Sequence, residues 1–429
     1  MLWIMKKLVV PLCLSIVCLA LPSLHGQKVW LGNEVLRAEG FPGLSGKRVG
    51  LLTNPSGIDS RGLSTVQVFR QVENVQLVAL FAVEHGIYGK VKAGDKVGGL
   101  MDPQTGIPVF SIYGTDDNGK PLRKPTPEML RQIDVLVYDL QDAGLRSFTY
   151  VSAMGLAMEA CGEQGVEFMV LDRPNPLGGV TVEGPMLDKE FRSYVGQWEI
   201  PYRYAMTCGE LAWMIREENW LSAKCKLTIA KMHGWRRSMS WKDTELAWVA
   251  PSPMLPDSER PAYLASTGII GEICGLSGLT LGGGSPFAFQ CVAAAWLDPK
   301  DLMMQLKQYN LPGIEFTPIE YQRTTPRGLK NVRGTRILIK DLVRAPLTAL
   351  NFYLFEAVRE VAGRDLIQIA SKTRPDRIRF FEKIVGSDNV RKSLSRQVPV
   401  SDLLKHWEKD LKQFEKVRQK YLIPDYSDN

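Results

Sequence analysis

The sequence predicts an α/β fold: a mostly parallel sheet covered by helices, followed by a smaller α+β C-terminal domain. Three observations predict it. Short apolar runs alternate with helical patterns through the N-terminal half. Those runs are almost continuously apolar, as strands buried on both faces are. Beyond about residue 290 the pattern changes to helices around a strand at 336–340. The expected organisation is a signal peptide at 1–26, a catalytic domain at 27–290 and an auxiliary domain at 291–429.

Each element has a local reason. Residues 48–53 (RVGLLT) read as a strand and 64–71 as a helix. VQLVALFAV at 75–83 is a second strand, and 109–113 a third. Thr126-Pro127-Glu128 opens a helix, with Thr126 as cap and proline in the first turn. DVLVYDL at 134–140 is a fourth strand, 147–164 a helix and 168–171 a fifth strand. Thr207-x-x-Glu210 is a capping box for a helix to Asn219. From 250 to 284 the periodicity weakens. Pro251, Pro253, Pro256 and Pro261 mark a loop, and a glycine-rich stretch follows. The closing helix, 401–422, carries Leu403, Leu404, Trp407, Leu411, Phe414 and Val417 on one face.

Composition narrows the class. With 429 residues, 45% hydrophobic and 23% charged, the chain is globular and long enough for two cores, neither disordered nor collagenous. Its net charge is +7. Residues 371–420 hold 14 Lys/Arg against 7 Asp/Glu. Interleaved acids read as a solvated helical surface and argue against a nucleic-acid groove; attraction to an anionic polymer is the other reading. At the N-terminus, Lys6 and Lys7 precede an apolar run ending at Pro22, with Gly26 before Gln27. This reads as a cleavable signal peptide, and Cys18 inside the run gives no lipobox. No later apolar run reaches eighteen residues, so no stable membrane insertion is expected. A periplasmic or secreted protein follows. The five cysteines beyond residue 26 form no C-x-x-C pair and read as buried hydrophobes.

The chemistry is expected at the carboxyl ends of the strands, where open α/β sheets bind ligands. Polar residues gather there: Asn54 in TNPSG, Glu84-His85-Gly86, Asp139 to Arg146, and Asp172-Arg173-Pro174-Asn175. Glu84 follows a nine-residue apolar strand. Partial desolvation there would raise its pKa and suit a general acid; the alternative is an ion pair that anchors a loop. His85 would orient it or meet substrate, or be structural. Asp142 is a candidate second carboxylate, and glycoside hydrolysis needs two. Arg146, Arg173 and Arg203 could each recognise a carboxylate or form internal ion pairs. Tyr113, Tyr150 and Trp198 could stack on a sugar or fill the core. No G-x-G-x-x-G follows the first strand, and no Walker lysine follows the glycines at 282–284. G-x-S-x-G and H-E-x-x-H are absent too, so neither a cofactor nor a metal is expected.

The blocks LLTNPSGID (51–59), LFAVEHGIYG (80–89), DVLVYDLQDAGLRSFTY (134–150), LDRPNPLGG (171–179), VEGPMLD (182–188), MTCGEL (206–211) and PSPMLP (251–256) are ordered along nearly the whole chain. In these the sequence resembles the exo-β-N-acetylmuramidases of the NamZ family. The resemblance implies a larger Rossmann-like domain, a smaller C-terminal domain and an active site in a cleft. It implies removal of terminal N-acetylmuramic acid (MurNAc) from the non-reducing end of peptidoglycan fragments such as MurNAc-GlcNAc. Carried over block by block, it points to Glu84 and His85, to Asp142, Arg146 and Tyr150, and to Asp172, Arg173 and Asn175. Many members carry a segment like LSEGRGT before a P-F pair; here it reads LSGLTLGGGSPF (276–287), without that glutamate and arginine. Glu272, just upstream, stands in the place of a family glutamate. Three readings compete: an exo-glycosidase with Glu84 as acid/base, a wall-sugar-binding protein without catalysis, and a metal-assisted hydrolase built on Glu84, His85 and Asp142.

Overall fold

A computed structural model of the chain describes residues 29–89, 100–116, 119–326 and 328–428. The expected signal peptide lies outside these residues. Six strands form the parallel sheet: β1 (Arg48–Thr53), β2 (Gln76–Ala82), β3 (Pro108–Ser111), β4 (Val135–Asp139), β5 (Glu167–Leu171) and β6 (Leu227–Ala230). Their order is β6-β5-β4-β1-β2-β3, and the short segment Leu100–Met101 adds antiparallel to β3. The chain runs outward from β1 on one side and then returns to β4 on the other. A crevice is therefore expected beyond the β1 and β4 carboxyl ends. Register brings Thr53 beside Asp139 and Leu52 beside Phe81, so those ends are level.

Strand parity divides the buried residues between two faces. Leu52, Phe81, Leu136, Tyr138, Phe168 and Val170 pack one way, against α2 (Thr149–Gln164) and α3 (Cys208–Glu217). Val49, Leu51, Leu80, Val135, Val137 and Met169 pack the other way, with Val68 and Phe69 of α1 (Thr65–Arg70). Two helix starts are fixed as their sequence implies. Ser64 and Gln67 close a capping box on α1, and Thr207 and Glu210 close one on α3.

The 250–284 region departs from the expected loop. Residues Arg260–Cys274 form a fifteen-residue helix, α4, with Pro261 in its first turn. Proline there removes no helical hydrogen bond, so it marks a start rather than a break. Eleven of the fifteen residues are buried. A helix covered on most sides has no polar face, which blurs the 3.6-residue period.

α4 packs with the elements beyond residue 290. Its Ala262, Ala265, Ile269, Ile270 and Ile273 belong to the C-terminal core. That core includes α5 (Pro299–Gln308), α6 (Leu347–Ala362), α7 (Pro375–Val385) and the first turn of α8 (Val400–Arg418). An antiparallel sheet of β7 (Cys291–Ala294), β9 (Gly328–Ile339) and β8 (Ile314–Thr325), in that order, completes it. The α8 residues Phe414 and Val417 instead pack on the N-terminal core, so this helix spans both. Among the described residues no helix is long and apolar enough to cross a membrane. All five cysteines beyond the expected signal peptide are buried and unpaired.

Candidate active site

A cavity of about 220 Å³ opens where the sheet's carboxyl ends meet the C-terminal helices. Glu84 and His85 reach it from the turn after β2, Ser147 to Tyr150 from the start of α2, and Ser252 and Met254 from the 250–256 loop. Helix α4 supplies Leu264, Gly268 and Glu272, and α7 supplies Phe380 and Ile384. Residues four apart on a helix share a face, so the α4 set forms one stripe along the wall. Gly268 keeps that wall low: a Cβ there would lie 2.9 Å from the Leu264 Cδ1.

Glu84 is half-buried and held by two hydroxyls. Tyr113, two residues beyond β3, donates to Oε1 at 2.9 Å; Thr149, the first residue of α2, donates to Oε2 at 3.4 Å. Tyr113 is itself braced by the Arg123 guanidinium, 5.0 Å from its ring centroid, which also faces the Tyr194 ring at 4.9 Å. Tyr113 thus supports the carboxylate rather than stacking on a sugar. His85 stands in the left-handed region, at φ 72°. Its Nε2 is 3.4 Å from the Ser252 hydroxyl.

Tyr150 lines the cavity, and Asn54, expected on substrate, is buried and braces it from behind rather than lining the wall. Asn54 Nδ2 donates to the Tyr150 hydroxyl and to the Pro251 carbonyl, each at 2.9 Å. Tyr150 donates to the same carbonyl at 2.5 Å. These bonds fasten the 250–256 loop beside the site. Glu272, the other carboxylate in the wall, accepts from Arg377 Nη2 at 2.7 Å. Burial raises its carboxyl above the ordinary range while Arg377 opposes the shift.

The remaining expected site residues lie away from the cavity wall. Asp142, expected as the second catalytic carboxylate, is buried behind it. Its Oδ2 accepts from the Gly144 amide at 2.6 Å and from the Tyr204 hydroxyl, and its Oδ1 has no partner. Burial lifts this carboxyl to about 6. Arg146, expected on substrate, is fully buried and serves four carbonyls: Pro185 and Ile200 through Nη1, Ile384 and Val385 through Nη2. The last two lie at the carboxyl end of α7, where carbonyls lack helical partners. Arg146 therefore clamps α7, and with it Phe380 and Ile384, against the sheet.

Arg173 pairs internally with Asp139 at 2.6 Å, and Asp139 accepts Thr65 Oγ1 at 2.5 Å. Asp172 accepts from the Gly209 amide and from the Thr207 and Tyr426 hydroxyls, pinning α3 and the C-terminal tail to β5. Asn175 bonds the Met206 carbonyl and the Leu177 amide. Arg203 donates to the Leu177 and Leu342 carbonyls. Trp198 is core, its Nε1 on the Val151 carbonyl. Sequence reasoning missed Thr149, Ser252, Arg377 and Phe380 as site components. Only Thr149 and Ser252 stood in recognisable blocks; Arg377 and Phe380 lie more than 100 residues from the others on an ordinary basic helix. Among the described residues no three His, Cys, Asp or Glu side chains gather as a metal cradle.

The chain matches two family models along its length: "Exo-beta-N-acetylmuramidase NamZ, N-terminal" over residues 49–259 and its C-terminal counterpart over 265–423. The chain belongs to the exo-β-N-acetylmuramidase NamZ family. It is a glycoside hydrolase by that membership. The two NamZ segments meet at the start of α4, as the two cores do. A relative in Bacillus subtilis (strain 168), the peptidoglycan β-N-acetylmuramidase NamZ, is 36% identical over 402 residues, 92% of this chain and 91% of its own. A crystal structure of a DUF1343 family protein from Bacteroides fragilis NCTC 9343 aligns with TM-score 0.84 and 39% identity, covering 92% of this chain and 99% of that one. A second protein of that family from the same strain aligns with TM-score 0.65 and 26% identity, over 94% and 99% of the two chains.

Proposed function

We propose that this NamZ family member releases terminal MurNAc from the non-reducing end of peptidoglycan fragments, with Glu84 as the acid/base. The observation that carries the reading is the placement of Glu84. It is a half-buried carboxylate in the wall of a sugar-sized cavity, at the strand end where open α/β sheets bind ligands. Protonated Glu84 would give its proton to the glycosidic oxygen as the bond to the anomeric carbon breaks. The water oxygen then bonds that carbon and the water proton returns to Glu84. Tyr113 and Thr149 fix the carboxylate for both transfers. Apolar Phe380, Ile384 and Leu264 offer a surface to acetamido and lactyl methyl groups, and Ser147, His85 and Ser252 offer polar partners to hydroxyls. Asn54 and Tyr150 hold the cavity's shape. The basic-then-apolar N-terminus supports export, to the periplasm or the medium, where wall fragments are met.

The test is MurNAc release from a MurNAc-GlcNAc disaccharide by the wild type and by Glu84→Gln. The wild type should release MurNAc, and the variant should fall about 100-fold or more. Full activity in the variant would remove Glu84 from the chemistry. Absence of release by the wild type, with disaccharide binding intact, would favour the sugar-binding reading.

A further inference from the structure

A sugar bearing a carboxylate brings a negative charge into this cavity, and a desolvated charge needs a cation or several donors. Arg146, Arg173 and Arg203 are buried and already engaged by backbone carbonyls or by Asp139. Arg377, in the first turn of α7, is placed differently: its side chain is 37% exposed. Nε and Nη2 share the Glu272 carbonyl at 3.1 and 2.9 Å, and Nη2 also reaches Glu272 Oε2 at 2.7 Å. The guanidinium carbon stands 5.2 Å from the Phe380 ring centroid. Glu272 and Phe380 both face the cavity, so the cation touches its wall on two sides.

We propose that Arg377 recognises the carboxylate of an acidic sugar in this cavity, with Glu272 as the internal anion that the sugar displaces. The proposal rests on the reading of the cavity as a MurNAc site. The contacts divide into a fixed part and an exchangeable part. The Glu272 carbonyl belongs to the last turn of α4 and takes two donors of Arg377, so it keeps the guanidinium in place. The Oε2 contact is the one a substrate carboxylate can take over, in the same charge-assisted geometry. Burial already disfavours the charged form of Glu272, which lowers the cost of giving up its partner. A neutral sugar leaves the Arg377–Glu272 pair intact and gains nothing from it.

Calorimetric binding of MurNAc and of GlcNAc, which differ by the lactyl group, tests this on the full chain. The wild type should bind MurNAc about tenfold or more tightly than GlcNAc. Arg377→Met should erase that preference and leave GlcNAc within twofold. Arg377→Lys should retain part of it, since a point charge replaces a fork. Glu272→Gln should keep or increase it, because the competing anion is gone. An undiminished MurNAc preference in Arg377→Met would overturn the proposal. Should that variant not fold, a collapse of the preference in Glu272→Gln would overturn it equally. A wild type that releases MurNAc from the disaccharide without preferring MurNAc to GlcNAc overturns this inference alone. A wild type that releases none overturns the muramidase reading.

Discussion

Replacing Arg146 by methionine removes one cation and takes a charged donor from four carbonyls: those of Pro185, Ile200, Ile384 and Val385. Hydrogen bonds from a charged donor contribute roughly 1.5–3 kcal/mol each, so the gross loss is about 6–12 kcal/mol. Burial of the cation opposes this. It lowers the Arg146 pKa from 12.5 to about 10, and relief of that desolvation returns about 3 kcal/mol. The net expectation is a loss of about 3 kcal/mol or more. Arg146→Lys should recover less than half, because three donors on a point charge cannot span four carbonyls. Urea unfolding followed by tryptophan fluorescence and far-ultraviolet circular dichroism measures this, and coincident transitions license the free energy. Where the folded variant persists, KM for the disaccharide should rise, since α7 carries Phe380 and Ile384. A loss below about 1 kcal/mol would refute the clamp.

Tyr113→Phe removes one of two hydroxyls on Glu84 and should lower kcat about tenfold with KM nearly unchanged, read from MurNAc release. Gly268→Val should reduce kcat/KM at least about tenfold by narrowing the cavity beside Leu264, with a small change in melting temperature. Asp142→Asn should leave MurNAc release within a few-fold. Burial holds the Asp142 carboxyl at about 6, above its ordinary value near 3.9. The folded chain thus binds the proton more tightly than the unfolded chain. The resulting stability is full below about pH 4 and is lost as pH rises through about 6. The difference in unfolding free energy between wild type and Asp142→Asn should therefore change by up to about 3 kcal/mol across that window. A flat difference would contradict the burial argument.

The strands were legible because a sheet covered on both faces demands continuous apolar runs, and 48–53, 75–83 and 134–140 supply them. The α3 box was legible because a capping box is a four-residue local event. Helix α4 was not, since burial on most sides removes the polar face that reveals a helix, and its first-turn proline mimics a break. At the site, spacing located the strand ends but not which polar groups face the cavity. Glu84 faces it. Asp139, Asp142, Asp172, Arg146 and Arg173 tie loops and helices together behind it. Sequence spacing gives these residues one appearance. Their difference lies in contacts such as Arg146 to Val385, made across 239 residues.

That division follows from what each group must do. A carboxylate that meets substrate has to remain within reach of solvent and ligand, and Glu84 and Glu272 keep partial exposure. A charge that holds loops in register works best where water cannot compete, and Asp139, Asp172 and Arg146 are buried at 0–1%. The cavity needs both kinds. Its near wall rides on strand ends whose loops the buried charges fix. Its far wall, from α4 and α7, belongs to a second core and is brought into register through Arg146 and through the Asn54–Tyr150–Pro251 bonds. The C-terminal core, α4 and α7 included, thus completes the site: without it Glu84 would stand at the open carboxyl end of the sheet, with neither Glu272 nor Phe380 opposite.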